Sequence, residues 1–157
     1  MKKKGEKDMK STYYSHLSPS EKAQQIAMIH KSQRLYRKGT YFTRTKLNYP
    51  QKVSRHIKRA QKMYGIPIRP SRELSERTGC PLTALRQIVR KGEGAYYSSG
   101  SRPSQTPQSW AYARLASAIT GGNDALVDYH ILQRCSPAKP AYRLATKRRR
   151  QRLNSPS

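Results

Sequence analysis

The spacing of small and apolar residues between positions 71 and 91 constrains the fold of this chain more than any other feature. Gly79 stands at its centre, where a turn needs a residue that adopts a positive φ without strain. A small side chain at Ser75 lets two helices approach closely, and Cys80-Pro81 opens the second helix. The spacing predicts a helix-turn-helix, two short helices that cross at a steep angle. Its defining positions are Leu74, Ser75, Gly79, Cys80, Leu85 and Ile88.

Two roles are open for this helix pair. As a DNA reader it would insert its second helix into the major groove, where arginine and glutamine suit guanine and adenine edges. The side chains presented there would be Thr83, Arg86, Gln87 and Arg90. As scaffolding it would only contribute to a core. Residues 70–135 carry 8 basic and 5 acidic side chains, a net charge of +3, and Glu73 and Glu76 lie on the first helix. These charges favour scaffolding over base reading.

Helix signals occupy most of the remaining chain. Ser18-Pro19-Ser20-Glu21 is a capping box that predicts a helix to about Lys38, before Gly39. A second helix is expected from near Pro50 to Gly65. A further helix should follow Thr106-Pro107 and end at Gly121-Gly122, and a last one should start at Asn123 or Asp124 and include Leu132. The fold class expected is therefore mainly α.

Three other segments carry expectations about order and packing. Residues 40–43 are expected to form a short extended segment. Residues 92–106 are rich in Gly, Ser and Tyr, which predicts an ordered loop. Trp110 is expected to anchor the small core.

Basic residues are distributed unevenly along the chain. It has 33 Lys and Arg against 8 Asp and Glu, a net charge of +25, of which residues 1–69 carry +15 and residues 136–157 carry +7. Like-charge repulsion and scarce apolar residues prevent a core in such ends. We therefore expect a small helical domain over 18–135, flanked by basic extended arms over 1–17 and 136–157.

So basic a chain is expected to contact a polyanion: nucleic acid, an anionic membrane surface or acidic surfaces of neighbouring subunits. No apolar run approaches the length of a transmembrane helix. The residues predicted to bind the polyanion or partner are Lys2, Lys3, Lys4, Arg55, Lys58, Arg59, Lys62, Arg86, Arg90, Arg102, Lys147, Arg148, Arg149, Arg150 and Arg152.

Residues suited to catalysis or metal binding are sparse. The two cysteines, Cys80 and Cys135, lack paired ligand spacing and are expected to be reduced thiols of an intracellular protein. The four histidines lack the i, i+4 histidine or Cys-x-x-Cys partners that a zinc site requires. Asp124 and Asp128 share a helix face and could form an acid/base site. Structural roles explain them better: Asp124 as an acid in the first turn of a helix, and Asp128 as the partner of a neighbouring arginine. We expect no enzyme activity, cofactor or metal.

The loop over 98–102, Ser-Ser-Gly-Ser-Arg, is a weak candidate for a phosphate cradle formed by backbone amides and Arg102. It lacks the spacing of a P-loop and its strand-to-helix context. A nucleic-acid-processing enzyme using Arg102 and Asp128 is the hypothesis that the sequence favours least.

Residues 91–110, KGEGAYYSSGSRPSQTPQSW, together with 113–117 and 128–132, resemble an uncharacterised domain of large nucleocytoplasmic DNA viruses, including algal viruses, and of some phages. The resemblance spans about residues 54–132 and brings no catalytic residues. It implies a viral protein from a lineage with large capsids cemented by small minor proteins. The first hypothesis is thus a non-enzymatic minor capsid component, located in the virion and in the host cell during assembly. The alternative is a nucleic-acid-binding protein, by genome condensation or through the helix-turn-helix.

Overall fold

A computed structural model describes residues 9–49 and 53–155, and within them it contains α-helices and no strand. The mainly α class is confirmed. A 3₁₀ turn, Ser11–Tyr13, comes first. The helices are α1 (Pro19–Arg37), α2 (Arg55–Tyr64), α3 (Arg72–Thr78), α4 (Leu82–Ser98), α5 (Pro107–Ile119), α6 (Asn123–Val127), α7 (Tyr129–Leu132) and α8 (Pro140–Asn154).

The chain divides into two compact units. Unit 1 comprises residues 1–52 and 93–110, and unit 2 comprises residues 53–92 and 111–157. Helices α4 and α5 therefore contribute residues to both. Among the described helices, none is long and apolar enough to cross a membrane.

Unit 1 is built on α1. Ser18 caps this helix by accepting a hydrogen bond from the backbone N–H of Glu21, as the capping box predicts. The apolar core of the unit is small and contains Met9, Tyr13, Tyr14 and Ile29. Trp110 lies at its edge, partly buried and edge-on to Tyr13 at 6.2 Å between ring centroids. Trp110, expected to anchor the small core, packs against this cluster from its edge, and the larger apolar core lies in unit 2.

The polar centre of unit 1 is Arg44, whose side chain is only 6% exposed. Its guanidinium donates to Ser101 Oγ at 2.7 Å, to the carbonyl of Tyr96 at 2.8 Å and to Ser32 Oγ at 3.2 Å. It also lies 3.8 Å from the centroid of the Tyr96 ring. Burial lowers the pKa of Arg44, and the nearby tyrosines Tyr96, Tyr13 and Tyr97 partly oppose that shift. These neutral partners hold the loop after α4 against α1.

Unit 2 has the larger apolar core, to which α5 contributes Leu115 and Ile119, both fully buried. Gly92 allows α4 to pass close to α5, since a Cβ atom there would lie 2.7 Å from the Cα of Ala111. Tyr64 crosses the core and donates its hydroxyl to the carbonyl of Ile119 at 2.5 Å. Burial raises the pKa of Tyr64.

Two local expectations differ from the structure. Helix α4 continues to Ser98, so much of the predicted loop over 92–106 is helical. The last predicted helix is two short helices, α6 and α7, with Asp128 between them. Residues 40–43 connect α1 to the segment that holds Arg44 and contain neither helix nor strand, which leaves the expected extended segment neither confirmed nor contradicted.

The predicted C-terminal extended arm is the largest difference. Residues 140–154 form α8, which begins with Pro140 at its first turn. Ala141 and Ala145 are fully buried on one face of this helix. Alanine, leucine and arginine favour helix strongly, and the buried alanines outweigh the charge repulsion on which the prediction rested.

Candidate nucleic-acid interface

The predicted helix-turn-helix is present as α3 and α4. Ser71 caps α3 by accepting from the N–H of Leu74, and Gly79 ends it in the left-handed region with φ 81°. Ser75 Oγ donates to the carbonyl of Cys80 at 2.5 Å, which fixes the turn. The apolar positions that define the spacing lie between the helices, and those that are at most 1% exposed are Leu74, Cys80, Leu85 and Ile88.

The outer face of α4 carries the four predicted base-reading side chains. Arg86 and Arg90 are exposed and lie one turn apart. Thr83 is exposed and Gln87 is half-buried, and both accept hydrogen bonds from Arg134. This face therefore carries Arg86, Arg90 and Arg134. The neutral side chains Thr83 and Gln87 both bind Arg134.

Arg134 is a functional candidate that the sequence analysis missed. It follows α7, and its two terminal nitrogens donate to Thr83 Oγ1 at 2.8 Å and to Gln87 Oε1 at 3.1 Å. Its guanidinium is exposed and carries further N–H groups that these two bonds do not use. The local sequence pattern does not indicate this role, because Arg134 is 51 residues from Thr83.

Asp128 is a buried acid that pairs with Lys91 on α4. Its carboxylate is fully buried and accepts two bonds from Arg114, at 2.7 and 2.9 Å. Lys91 Nζ lies 3.5 Å from the same carboxylate and 3.4 Å from His130 Nε2. The hydrogen bond to Asp128 raises the pKa of Arg114. The predicted pairing of Asp128 with an arginine is confirmed.

Asp124 lies in the first turn of α6, as expected. Its backbone N–H donates to Ser117 Oγ at 3.2 Å. Burial raises the pKa of its carboxyl, while Ser117, Arg114 and His56 oppose this shift. Within the described residues, no group of His, Cys, Asp and Glu is arranged to hold a metal ion.

The helix-turn-helix and α8 are joined at the turn. Cys80 and Cys135 form a disulfide across 55 residues of sequence, so the expectation of two reduced thiols is wrong for this structure. Ser136 N–H donates to the carbonyl of Gly79 at 2.8 Å. Gly79 also packs against the Lys139 side chain, which a Cβ atom would overlap. The residues entering α8 are thus fixed to the turn between α3 and α4.

One face of α8 presents a row of cations. Arg143, Lys147 and Arg150 are exposed at i, i+4 and i+7, so they align along the helix. They line a groove of about 310 Å³ together with Pro137, Tyr142 and Thr146. Such a row suits the repeating phosphates of a nucleic-acid backbone.

Other predicted C-terminal cations have partners within the unit. Arg148 donates to the side-chain oxygen of Asn123 on α6. The Arg149 guanidinium lies 4.6 Å from the centroid of the Tyr129 ring. The hydrogen bond between Tyr129 and Thr146 and, to a smaller extent, the one with Arg149 lower the pKa of Tyr129. Arg152 is exposed in the last turn of α8.

The remaining predicted residues fall into three groups. Exposed cations on α2 share unit 2 with the helix-turn-helix: Arg55, Lys58, Arg59 and Lys62. Arg102 is exposed in unit 1, where Arg44 already occupies the inner side of its loop through Ser101. Lys2, Lys3 and Lys4 lie outside the described residues.

The charge of the folded unit differs from that of the sequence segment. Unit 2 contains 19 basic and 4 acidic side chains, a net charge of +15 over 87 residues. Helices α2 and α8 supply most of this excess. The helix-turn-helix, whose own segment is nearly neutral, thus belongs to a strongly basic body.

A sequence profile of a family of unknown function, DUF5824, matches residues 10–128, which is more than half of the chain. The chain belongs to the DUF5824 family. The match begins before α1, earlier than the expected start near residue 54, and it ends at Asp128. The DUF5824 region thus includes the helix-turn-helix, whereas Arg134, Cys135 and α8 follow it. No curated protein and no solved structure matches the chain.

Proposed function

We propose that this protein is a non-catalytic nucleic-acid-binding protein, which contacts duplex DNA through α4 and the basic surface of unit 2. The observation that carries the proposal is the attachment of α8 to the helix-turn-helix. Because residues 135–139 are fixed to Gly79 and Cys80, the C-terminal cations belong to the same body as α4.

The scaffolding interpretation rested on the near-neutral charge of residues 70–135. The unit that contains the helix pair carries +15, so the charge of the folded body no longer favours scaffolding over DNA binding. Exposed arginines on the second helix are the side chains that most often contact guanine in the major groove. In this proposal, Arg86 and Arg90 contact the DNA directly, while the row Arg143, Lys147 and Arg150 contacts phosphates.

The test is a fluorescence anisotropy titration of a labelled duplex with the full chain and the double variant Arg86→Ala/Arg90→Ala. We expect the variant to lower affinity about 10-fold to 100-fold near 0.1 M salt, because two cation contacts with the duplex are lost. The matched control, Lys10→Ala/Lys46→Ala, removes the same charge from exposed positions of unit 1 that lie outside α1. Equal losses of affinity in both double variants would contradict a role for α4 and would indicate that only the diffuse positive charge of the protein binds the duplex.

A second proposal is the minor capsid component. It is supported by the resemblance of residues 91–132 to a domain of large DNA viruses, and it is compatible with nucleic-acid binding inside a particle. In this proposal, basic surfaces contact neighbouring capsid subunits. Mass spectrometry of purified virions from the source virus is the test. The protein should be present at a fixed ratio to the major shell protein, and its absence from particles would exclude this role.

A further inference from the structure

Three tyrosine rings form a cluster on unit 1, independent of the helix-turn-helix. Tyr36 and Tyr97 stack nearly parallel, with an angle of 8° and 6.1 Å between centroids. Tyr41 packs against both, 6.0 Å from Tyr36 and 5.1 Å from Tyr97, and is tilted by 48° and 46°. Tyr41 is 70% exposed, so most of its ring faces water. We call Tyr36, Tyr41 and Tyr97 the tyrosine cluster.

The cluster rests on fixed supports. Gly94 leaves room for the Tyr36 hydroxyl, which would lie 3.2 Å from a Cβ atom at that position. The ring of Tyr96, edge-on to Tyr97 at 5.1 Å, lies against the buried guanidinium of Arg44. The unusual run of tyrosine and glycine over 94–97 is thus explained by packing.

The segment that carries Tyr41 is held on both sides. Thr40 N–H donates to the carbonyl of Leu35 at 2.9 Å, after a turn at Gly39 with φ 82°. Arg44 N–H donates to the Tyr96 hydroxyl at 3.0 Å. An aromatic ring held in this way loses little conformational freedom when a planar ligand stacks on it.

Cations precede Tyr41 along the chain. The last two turns of α1 present the exposed residues Lys31, Arg34 and Arg37, and Lys38 at the C-cap of this helix is also exposed. Lys31 Nζ lies 4.4 Å from the centroid of the Phe42 ring, next to Tyr41 in sequence. Glu93 lies one helical turn before Tyr97 and adds a single carboxylate on that side. Four cations against this carboxylate favour an anionic ligand.

We propose that the tyrosine cluster binds single-stranded nucleic acid, with one base stacked on Tyr41 and the neighbouring phosphates on the cations of α1. An exposed aromatic ring among cations combines the two features by which single strands are held without sequence preference. A duplex keeps its bases inside the helix and offers the ring no face. Strand type therefore separates this site from the proposed duplex site of unit 2.

The test compares a labelled oligothymidine strand with a labelled duplex, using the full chain and the variants Tyr41→Ala and Tyr41→Phe. Tyr41→Ala should weaken binding of the single strand about 5-fold to 100-fold and leave duplex affinity within 2-fold. Tyr41→Phe keeps the ring and should bind like the wild type. Since Tyr41 is exposed, neither substitution should affect folding.

Salt dependence provides an independent readout. Stacking releases no counterions, so Tyr41→Ala should lower affinity without changing the slope of log affinity against log salt. Arg37→Ala should reduce that slope by about 0.7 for a single strand. Wild-type affinity for the single strand in Tyr41→Ala would overturn the proposal, as would an equal loss for the duplex. The double variant Arg86→Ala/Arg90→Ala should retain single-strand binding, which separates failure of this site from failure of the duplex site.

Discussion

Arg134 donates a hydrogen bond from its guanidinium to the side-chain oxygen of Gln87 over 3.1 Å, on the outer face of α4. With the parallel bond to Thr83, this contact turns two neutral side chains of the second helix into supports for a cation. A residue distant in sequence thus extends the surface with which we propose that α4 meets DNA.

Arg134→Ala should therefore weaken duplex binding about 5-fold to 10-fold and reduce the salt slope by about 1, because one phosphate contact is lost. Arg134→Lys keeps the charge but cannot span both partners with a planar fork, so its affinity should be intermediate. Anisotropy titrations at about 50 mM and 200 mM salt measure both quantities. Unchanged affinity in Arg134→Ala would remove this residue from the interface.

The Cys80–Cys135 disulfide should stabilise unit 2 by linking residues 55 positions apart in the sequence. Cys80→Ala/Cys135→Ala is expected to lose about 2–4 kcal/mol of unfolding free energy, mainly because the unfolded chain regains freedom. Urea unfolding followed by circular dichroism measures the change, and a reductant should shift the midpoint of the wild type but not that of the double variant. A wild-type midpoint that is insensitive to reductant would show that the thiols are unpaired in solution.

Arg44 should be essential for unit 1. Arg44→Ala removes the donor for Ser32, Ser101 and the Tyr96 carbonyl, and leaves a cavity beside the Tyr96 ring. We expect a loss of about 2–4 kcal/mol, as for other buried polar networks that lose one member. Trp110, the single tryptophan, lies in unit 1, so its fluorescence during urea unfolding reports on this unit. The same midpoint in wild type and variant would contradict this prediction.

Tyr64 should make stability depend on pH in the alkaline range. Burial raises its pKa in the folded state, whereas in the unfolded chain it ionises near pH 10. The stability contribution is therefore fully present below about pH 10 and declines above it, by up to about 1.4 kcal/mol per pH unit. Tyr64→Phe should lose about 1 kcal/mol at pH 8, from the bond to Ile119, but decline less at pH 11. Parallel declines in both proteins would exclude Tyr64 as the cause.

The elements that the sequence predicted well depend on neighbours in the chain. The α3–α4 pair follows from the spacing around Gly79, and the start of α1 follows from the Ser18 capping box, because caps and turns are local. The missed features join distant residues: Arg44 to Ser101 across 57 positions and Arg134 to Thr83 across 51. Contacts between residues so far apart leave no periodic pattern in the sequence.

The prediction for α8 failed for a different reason. Charge repulsion within residues 136–157 predicts an extended arm, whereas in the structure Ala141 and Ala145 are buried on one face of α8 in unit 2. The family resemblance includes residues 92–106. In the structure, many of their side chains pack or form hydrogen bonds within unit 1. Gly94, Tyr96 and Ser101 are explained by their contacts with Tyr36 and Arg44.

Contact between α4 and duplex DNA is tested by a nuclear magnetic resonance titration of the full chain with a short duplex, which follows the arginine side-chain N–H signals. We expect the signals of Arg86, Arg90 and Arg134 to shift early and together, while that of the buried Arg44 stays in place. Shifts confined to cations of unit 1 or to residues 1–8, with Arg86, Arg90 and Arg134 unmoved, would contradict the proposed contact.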